Sequence, residues 1–520
     1  MMRDRRSRLL VVLAGTVAFT GTVAYPQSRV LRQFSLSDSL SSSVQLPPSN
    51  SVSHIESRDS TVWVGTGKGL ARSRNGGRSW QSFRTNSAFA NDGVFAVAVG
   101  DSAVWTSTGF VKEVNDAGVQ TGSGYAYSTD DGASWNHVNQ TLDTQADSLL
   151  PYGLDTLRAL PIVVPEQNVT FDISLSPGKV WIASWASGLR YSTNNGQKWQ
   201  RVLLPPDDRD RIAPRTLPTG DTVDFYVDPR QNNNFLAFSV LAVDNDTIWC
   251  GTAGGINKST DGGVSWVRFT HANQASPILG DWVIAIKEQR FQNKKRIWAT
   301  NWLAEDQAEE FGVSYTDDGG RTWKNFLRGI KAYEFAFRDS IAYIATDLGL
   351  YRTDDGGLTF TRNGTIIDQA TRQTITKPAV FAAASVADTV WAGTDDGIVT
   401  TIDNAANPFG TTWRIYRTYQ QIGASRTTYA YPNPFSPNFE VARIHYSTQN
   451  TAATVSIDIF DFGMNEVRAI VRNARRPQGE FDEIWNGKSN DGVAIANGVY
   501  FYRLRIDSDE PVWGKIMVLR

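Results

Sequence analysis

The sequence predicts an all-β chain, a seven-bladed β-propeller followed by a small β-sandwich, and three observations carry that prediction. The first is composition: 520 residues with 43 Gly, 17 Trp, 17 Tyr and 25 Phe but only 20% charged residues, a profile of turn-rich strands around aromatic cores. The second is one unit that recurs along most of the chain. The third is a change of pattern after Tyr416, where the unit stops and short alternating strands with Gly and Asn turns begin.

The unit reads as an apolar strand, a Val-Trp-x-Gly-Thr-like strand, Gly-Leu-x-x-Ser, and a polar turn ending in Trp. Its second strand is marked by Trp63, Trp105, Trp181, Trp249, Trp298, Tyr343 and Trp391, so the markers number seven, one per blade. Four antiparallel strands per blade follow; in blade 1 they are expected at 52–56, 61–66, 69–73 and 79–83. Segments 94–99 and 283–286 are apolar on both faces, as the innermost strands of stacked sheets should be.

The polar turn has the form Ser/Thr-x-Asp/Asn-x-Gly-x-x-Trp. It stands as Ser73, Asn75, Gly77, Trp80; Ser128, Asp130, Gly132, Trp135; and Ser192, Asn194, Gly196, Trp199. It returns as Ser259, Asp261, Gly263, Trp266; Thr316, Asp318, Gly320, Trp323; and Thr353, Asp355, Gly357, Phe360. A seventh copy, from Asp403 to Trp413, is stretched by an insertion. Each position has a physical reason: a carboxylate or amide oxygen accepts from following backbone amides, Gly takes a conformation closed to other residues, and Trp covers the base of the hairpin. Asn75, Asp130, Asn194, Asp261, Asp318 and Asp355 are therefore structural; no copy carries the carboxylate run ending in Glu that a calcium loop needs. These turns resemble the Asp-box, or bacterial neuraminidase, repeats of sialidases and sortilin-type receptors, over residues of about 50–417. That resemblance implies a fold more than a function, because the same ring carries hydrolases, receptors and assembly factors.

Fifty-one basic against 53 acidic side chains leave a formal net charge of −2, which supplies no global attraction to nucleic acid. The chain begins Met-Met-Arg-Asp-Arg-Arg-Ser-Arg, continues through an apolar run at 9–19 and reaches Thr22-Val23-Ala24. This pattern reads as a signal peptide over 1–24, with an N-terminal segment at 25–50, and marks the protein for export. The single cysteine, Cys250, can form no internal disulfide and is expected as a buried structural thiol.

Long insertions at 109–123, 139–170, 201–235, 270–280, 301–311 and 361–377 fall on the face opposite the tight turns, which makes that loop face the expected binding face. Phe110, Trp185 and Trp302 lie there as candidate stacking rings for a glycan or anchors for a protein ligand. A glycosidase needs two neighbouring carboxylates, one of raised pKa, and Asp92, Asp281 and Glu305 are the candidates. His54, His137, His271 and His445 show no metal-ligand or triad spacing, so neither a metal nor another cofactor is expected. The Arg-Ile-Pro opening of sialidases is missing: Arg211-Ile212 is followed by Ala213. The preferred reading is a recognition module, with a glycoside hydrolase or lyase and a structural surface-layer component as the alternatives.

After the propeller at 51–417 and a linker at 418–428, residues 429–520 contain Tyr431-Pro-Asn-Pro-Phe435, Asn497-Gly-Val-Tyr-Phe-Tyr-Arg-Leu504 and Lys515-Ile-Met-Val-Leu519. These look like the immunoglobulin-like C-terminal sorting domain of type IX secretion cargo, and are similar to the related domain of flagellar hook-capping proteins. The resemblance implies an outer-membrane export machinery as a second partner and, with the signal peptide, an extracellular or outer-membrane-surface location on a bacterium.

Overall fold

A computed structural model describes residues 46–83, 86–89, 92–114, 117–371, 373–375, 377–417, 428–438, 441–448 and 452–519. The expected signal peptide and nearly all of the expected linker lie outside the described residues. The chain divides into two compact units.

The larger unit is a seven-bladed β-propeller, with blades at 52–82, 93–138, 170–201, 237–269, 286–326, 332–362 and 382–416. Each blade is an antiparallel sheet of four consecutive strands, and blade 4 gains a fifth. Blade 1 runs Val52–Arg58, Thr61–Thr66, Gly69–Ser73 and Gln81–Ser82, close to the expected bounds. In blade 5 the innermost strand is Ile286–Phe291, so the apolar stretch at 283–285 leads into that strand rather than forming it.

All seven marker aromatics are buried. The reason is inter-blade packing: the turn tryptophan of one blade meets the marker of the preceding blade edge-on, with Trp135 at 6.1 Å from Trp63, Trp199 at 6.4 Å from Trp105 and Trp323 at 6.2 Å from Trp249. The ring closes in the same way, with Trp80 of blade 1 at 6.0 Å from Trp391 of blade 7. Thus the expected cover over a hairpin base is in fact the glue between sheets, worth about 1 kcal/mol per pair beyond the area buried.

Six turns share one hydrogen-bond pattern. In blade 2, Gly132 N donates to Ser128 Oγ at 2.8 Å, Ser128 Oγ donates to Asp130 Oδ1 at 2.7 Å, and Ser134 N donates to the same oxygen at 2.8 Å. The Ser134 hydroxyl, which donates to Asp130 Oδ2 at 2.6 Å, followed by the Ser134 amide and the Ser128 hydroxyl, holds the Asp130 carboxyl down to about 2. The stretched seventh copy keeps the geometry through different residues, Gly410 N donating to Thr401 Oγ1 at 3.2 Å and Trp413 Nε1 to Gly410 O at 3.0 Å.

The insertions depart from the expected loops. Segment 109–123 is a continuation of two strands of blade 2, Val104–Val114 and Ala117–Ser128. Segments 139–170 and 201–235 form a hairpin, Leu149–Tyr152 with Asp155–Arg158, and the fifth strand of blade 4, Arg211–Ile212, which pairs with Trp266 and Val267. Their Tyr152, Leu157, Leu203, Leu204 and Val227 join Trp181 and Trp266 in one core cluster. Enough apolar side chains occur in these segments to bury themselves, so they buttress the outside of blades 3 and 4. Asp143, buried beneath them, receives Arg190 at 2.6 Å and Arg201 at 3.0 Å.

The smaller unit is a β-sandwich. One sheet orders Thr428–Tyr431, Ala442–Ser447 and Glu480–Trp485; the other orders Glu466–Arg476, Ala453–Phe460, Gly498–Ile506 and Val512–Val518. Ile444, Tyr446, Ile457, Trp485, Tyr502 and Ile516 fill the space between them. The Tyr-Pro-Asn-Pro-Phe segment caps the free edge of the last strand: Phe435 N donates to Met517 O at 3.0 Å, and Asn433 bonds Lys515 O at 2.7 Å and Met517 N at 2.8 Å. An otherwise open edge is thereby covered.

Candidate functional site

Innermost strands enter each blade from the loop face, and five of them open with a β-bulge. The register skips one residue between Val52 and His54, Val94 and Ala96, Thr170 and Asp172, Ala237 and Ser239, and Ala332 and Glu334. A bulge re-aims the extra side chain. Four of the skipped residues are aromatic: Phe95, Phe171, Phe238 and Tyr333. With Trp282, Trp302 and Phe381 they form a continuous belt around the loop-face mouth of the ring. Centroid separations run 6.1 Å from Phe95 to Phe171, 5.4 Å to Phe238, 5.2 Å to Trp282, 5.8 Å to Trp302, 5.6 Å to Tyr333 and 5.1 Å to Phe381.

The three ring candidates from the sequence fare differently. Trp185 joins the belt, half-buried, 6.3 Å from both Phe171 and Phe238. Trp302 also joins it but is only 4% exposed, its Nε1 donating to Ala332 O at 2.8 Å and the Lys331 ammonium lying 5.5 Å over its ring. It is a packing residue rather than an open platform, because its turn folds inward against Trp282. Phe110 sits in the long hairpin of blade 2, paired in register with Thr121 and outside the belt. The sequence reading singles out neither of the half-exposed members Phe171 and Tyr333, and takes Phe95 only as part of the apolar strand at 94–99. Their recurrence at the second or third residue of a blade's first strand was the available signal.

Beside the belt, the connection entering blade 5 and the turn between its second and third strands bring together His271, Asp281, Asp306 and Glu309. Asp281 accepts from the His271 amide at 2.7 Å and from Nδ1 of its ring at 2.9 Å. Nε2 faces Asp306 at 3.5 Å. Spacing along the chain gave no hint that His271 would meet an acid ten residues later, since a loop decides it. Burial acts against the charged imidazole, yet the Asp281 hydrogen bond and the charges of Asp281, Glu309 and Asp306 hold its pKa above the ordinary value. Burial holds the Asp281 carboxyl above its ordinary value, against the opposing His271 contacts.

His271, Asp281 and Glu309 offer ligand atoms within 4.8 Å of one another, close enough for a cation. The donor set argues against one. Glu309 already accepts amides from Ala304 at 2.6 Å, Glu305 at 3.2 Å, Asp306 at 3.0 Å and Asp281 at 3.2 Å. Four N–H dipoles aimed at one carboxylate fill the lone pairs a cation would need. Glu309 is therefore a scaffold, and the group is a histidine–aspartate dyad able to hold or pass a proton. Glu305 contributes an amide to that scaffold while its side chain is exposed. Asp92 belongs to a separate group at the entry to blade 2: burial raises its pKa, opposed by Ser123 and by the charge of His137. Asp281 and Asp92 are thus placed in different sectors of the ring.

No protein-family model matches the chain. A probable oligoxyloglucan-reducing end-specific xyloglucanase of Neosartorya fischeri is 24% identical over 219 residues, which cover 38% of this chain and 26% of that protein. Among solved structures, PorZ, an essential bacterial surface component of the type-IX secretion system of Porphyromonas gingivalis, superposes with a TM-score of 0.32 at 15% identity, covering 90% of this chain and 66% of that one. An ancestral GH74 enzyme superposes with a TM-score of 0.48 at 17% identity, covering 90% and 59%. YCF48 from Cyanidioschyzon merolae does so with 0.37 at 14% identity, covering 68% and 91%. The chain thus spans about a quarter of the xyloglucanase and less than two thirds of the GH74 enzyme.

Proposed function

We propose that this chain is an exported, surface-displayed propeller whose loop face recognises a glycan. The observation that carries the reading is the aromatic belt: half-exposed rings at Phe95, Phe171, Trp185 and Tyr333 offer flat apolar faces around the mouth of the ring. The His271–Asp281–Asp306 group beside it supplies donors and acceptors for hydroxyls, which an apolar mouth alone would lack. The likeness to a xyloglucanase supports glycan over protein as the ligand class. Hydrolysis is a second reading, favoured by one feature: burial keeps the Asp281 carboxyl protonated to higher pH than an ordinary aspartate, the condition for a general acid. We assign export to the signal-peptide-like start and the sandwich, read as a type IX sorting domain.

Titration of xyloglucan oligosaccharides against the full chain tests the first reading. Trp185→Ala should weaken binding about tenfold and leave the fold intact. Binding unchanged in that variant refutes the belt as the ligand surface. Turnover that Asp281→Asn abolishes with binding retained makes the protein a hydrolase. For export, a chain ending at Thr428 should stay in the periplasm of its host; its delivery to the surface would refute the sorting role.

A further inference from the structure

Below the belt, alternate residues of the innermost strands face the central channel. At the position after each bulge stand His54, Ala96, Asp172, Ser239 and Glu334; blade 7 places Ala382 at the matching register, and in blade 5 Ala285, just ahead of the strand, accepts the Thr300 amide at 3.1 Å there. Two residues deeper stand Glu56, Ala98, Ser174, Leu241, Lys287, Ala336 and Ala384. Alanines on blades 2 and 7 leave room, and the charged side chains meet in it. Lys287 Nζ of blade 5 lies 2.8 Å from Glu56 Oε1 of blade 1 and 3.6 Å from Glu334 Oε1 of blade 6. His54 Nε2 lies 3.3 Å from the same Glu56 oxygen. Blades 1 and 5 are not neighbours in the ring, so the first of these pairs crosses the channel.

The ring closes without a shared strand among the described residues: every blade is built of strands consecutive in the chain, with no strand lent by one terminus to the other. The seam between blades 7 and 1 is held by packing of Val52 and Trp80 against Ala382, Trp391 and Ile398, and by hydrogen bonds that include Ser57 Oγ to Ser385 O and Tyr416 Oη to Gly76 O.

We propose that the central channel is a proton-responsive clasp, in which Lys287 ties blade 1 to blades 5 and 6 across the axis and Asp172 loads or relieves that tie as its carboxyl loses or gains a proton. Asp172 accepts the amides of Ile173 at 2.8 Å and Val240 at 2.9 Å. It stands at the same register of its innermost strand as His54 and Glu334, one step above the layer of Glu56 and Lys287, and feels the charges of His54, Glu334 and Lys287; the Cys250 thiol of blade 4 is also within its field. Burial raises its pKa to about 7, against the opposing charge of His54 and the Val240 amide. Glu56 is held at about 2: burial opposes its ionisation, but Lys287 and the His54 contact outweigh burial. With Asp172 protonated and His54 charged, two positive groups balance Glu56 and Glu334. Once Asp172 ionises and His54 is neutral, the channel carries one cation against three carboxylates.

The sign follows from linkage: a carboxyl whose folded pKa is raised costs stability progressively from its unfolded value, near 4, up to about 7. Thermal unfolding and hydrogen exchange of the full chain, read from pH 4 to 9, test the clasp. Asp172→Asn should gain on the wild type by an increment that grows from pH 4 to 7 and is constant above. Any fixed offset from the lost acceptor cancels in that comparison. Lys287→Met should speed exchange in the seam strands Val52–Arg58 and Ala382–Val386 about tenfold, with Lys287→Arg restoring most of the protection. An Asp172→Asn increment that does not change with pH, or seam exchange in Lys287→Met equal to that of the wild type, overturns the proposal.

Discussion

Replacing Gly263 by Val loads two separate costs onto one turn of blade 4. The residue sits at φ +92°, where a β-branched side chain is strained by about 1–3 kcal/mol. The added Cβ would also lie 3.0 Å from Cη2 and 3.4 Å from Cζ3 of Trp181, a fully buried ring of blade 3 that cannot retreat without opening the inter-blade core. Overpacking of that kind adds about another 1–3 kcal/mol. The expected loss is about 3 kcal/mol, measured by urea unfolding of the full chain followed through tryptophan fluorescence. Gly262→Ala is the companion: φ is +76° but the nearest atom to its Cβ is Asn245 O at 3.2 Å, so backbone strain dominates and about 1 kcal/mol is expected. A Gly263→Val loss below about 0.5 kcal/mol would refute both the assigned backbone angle and the claim that these turns abut the neighbouring blade.

Glu309→Ala would strip the acceptor from four amides; a loss of about 2–3 kcal/mol and faster proteolysis of the 302–311 turn are expected, and an unaltered cleavage pattern would count against its scaffold role. His271 should titrate above 6.5 by NMR, and Asp281→Asn should lower that value. Because the folded pKa is the higher one, the stability this histidine contributes is fully present below 6.5 and disappears as pH rises through the folded value; the opposite slope would show that Asp281 is not its partner. Asp143→Ala leaves Arg190 and Arg201 buried without their carboxylate and should cost about 3–5 kcal/mol in thermal or chemical unfolding.

The blade count, the position of most strands and the turn chemistry were legible in the residues because each repeat states its own local geometry. Ser128, Asp130, Gly132 and Trp135 lie within eight positions, and their bonds close within the turn. The stretched copy was harder, since Thr401 and Gly410 act at a spacing that no pattern would match. What escaped the sequence depends on distance along the chain. Insertions that looked like free loops carry Leu157, Leu203 and Leu204, and whether they bury against blades 3 and 4 is set by surfaces contributed by Trp181 and Trp266. Trp302 looked exposed because nothing near it in sequence reveals Trp282, Tyr333 and Phe311 around its ring. Lys287 and Glu56, 231 positions apart, meet because closing a ring points every innermost strand at one axis. Local hydrogen bonding is written into neighbouring residues, whereas burial and charge pairing across the channel arise only once seven sheets share a centre.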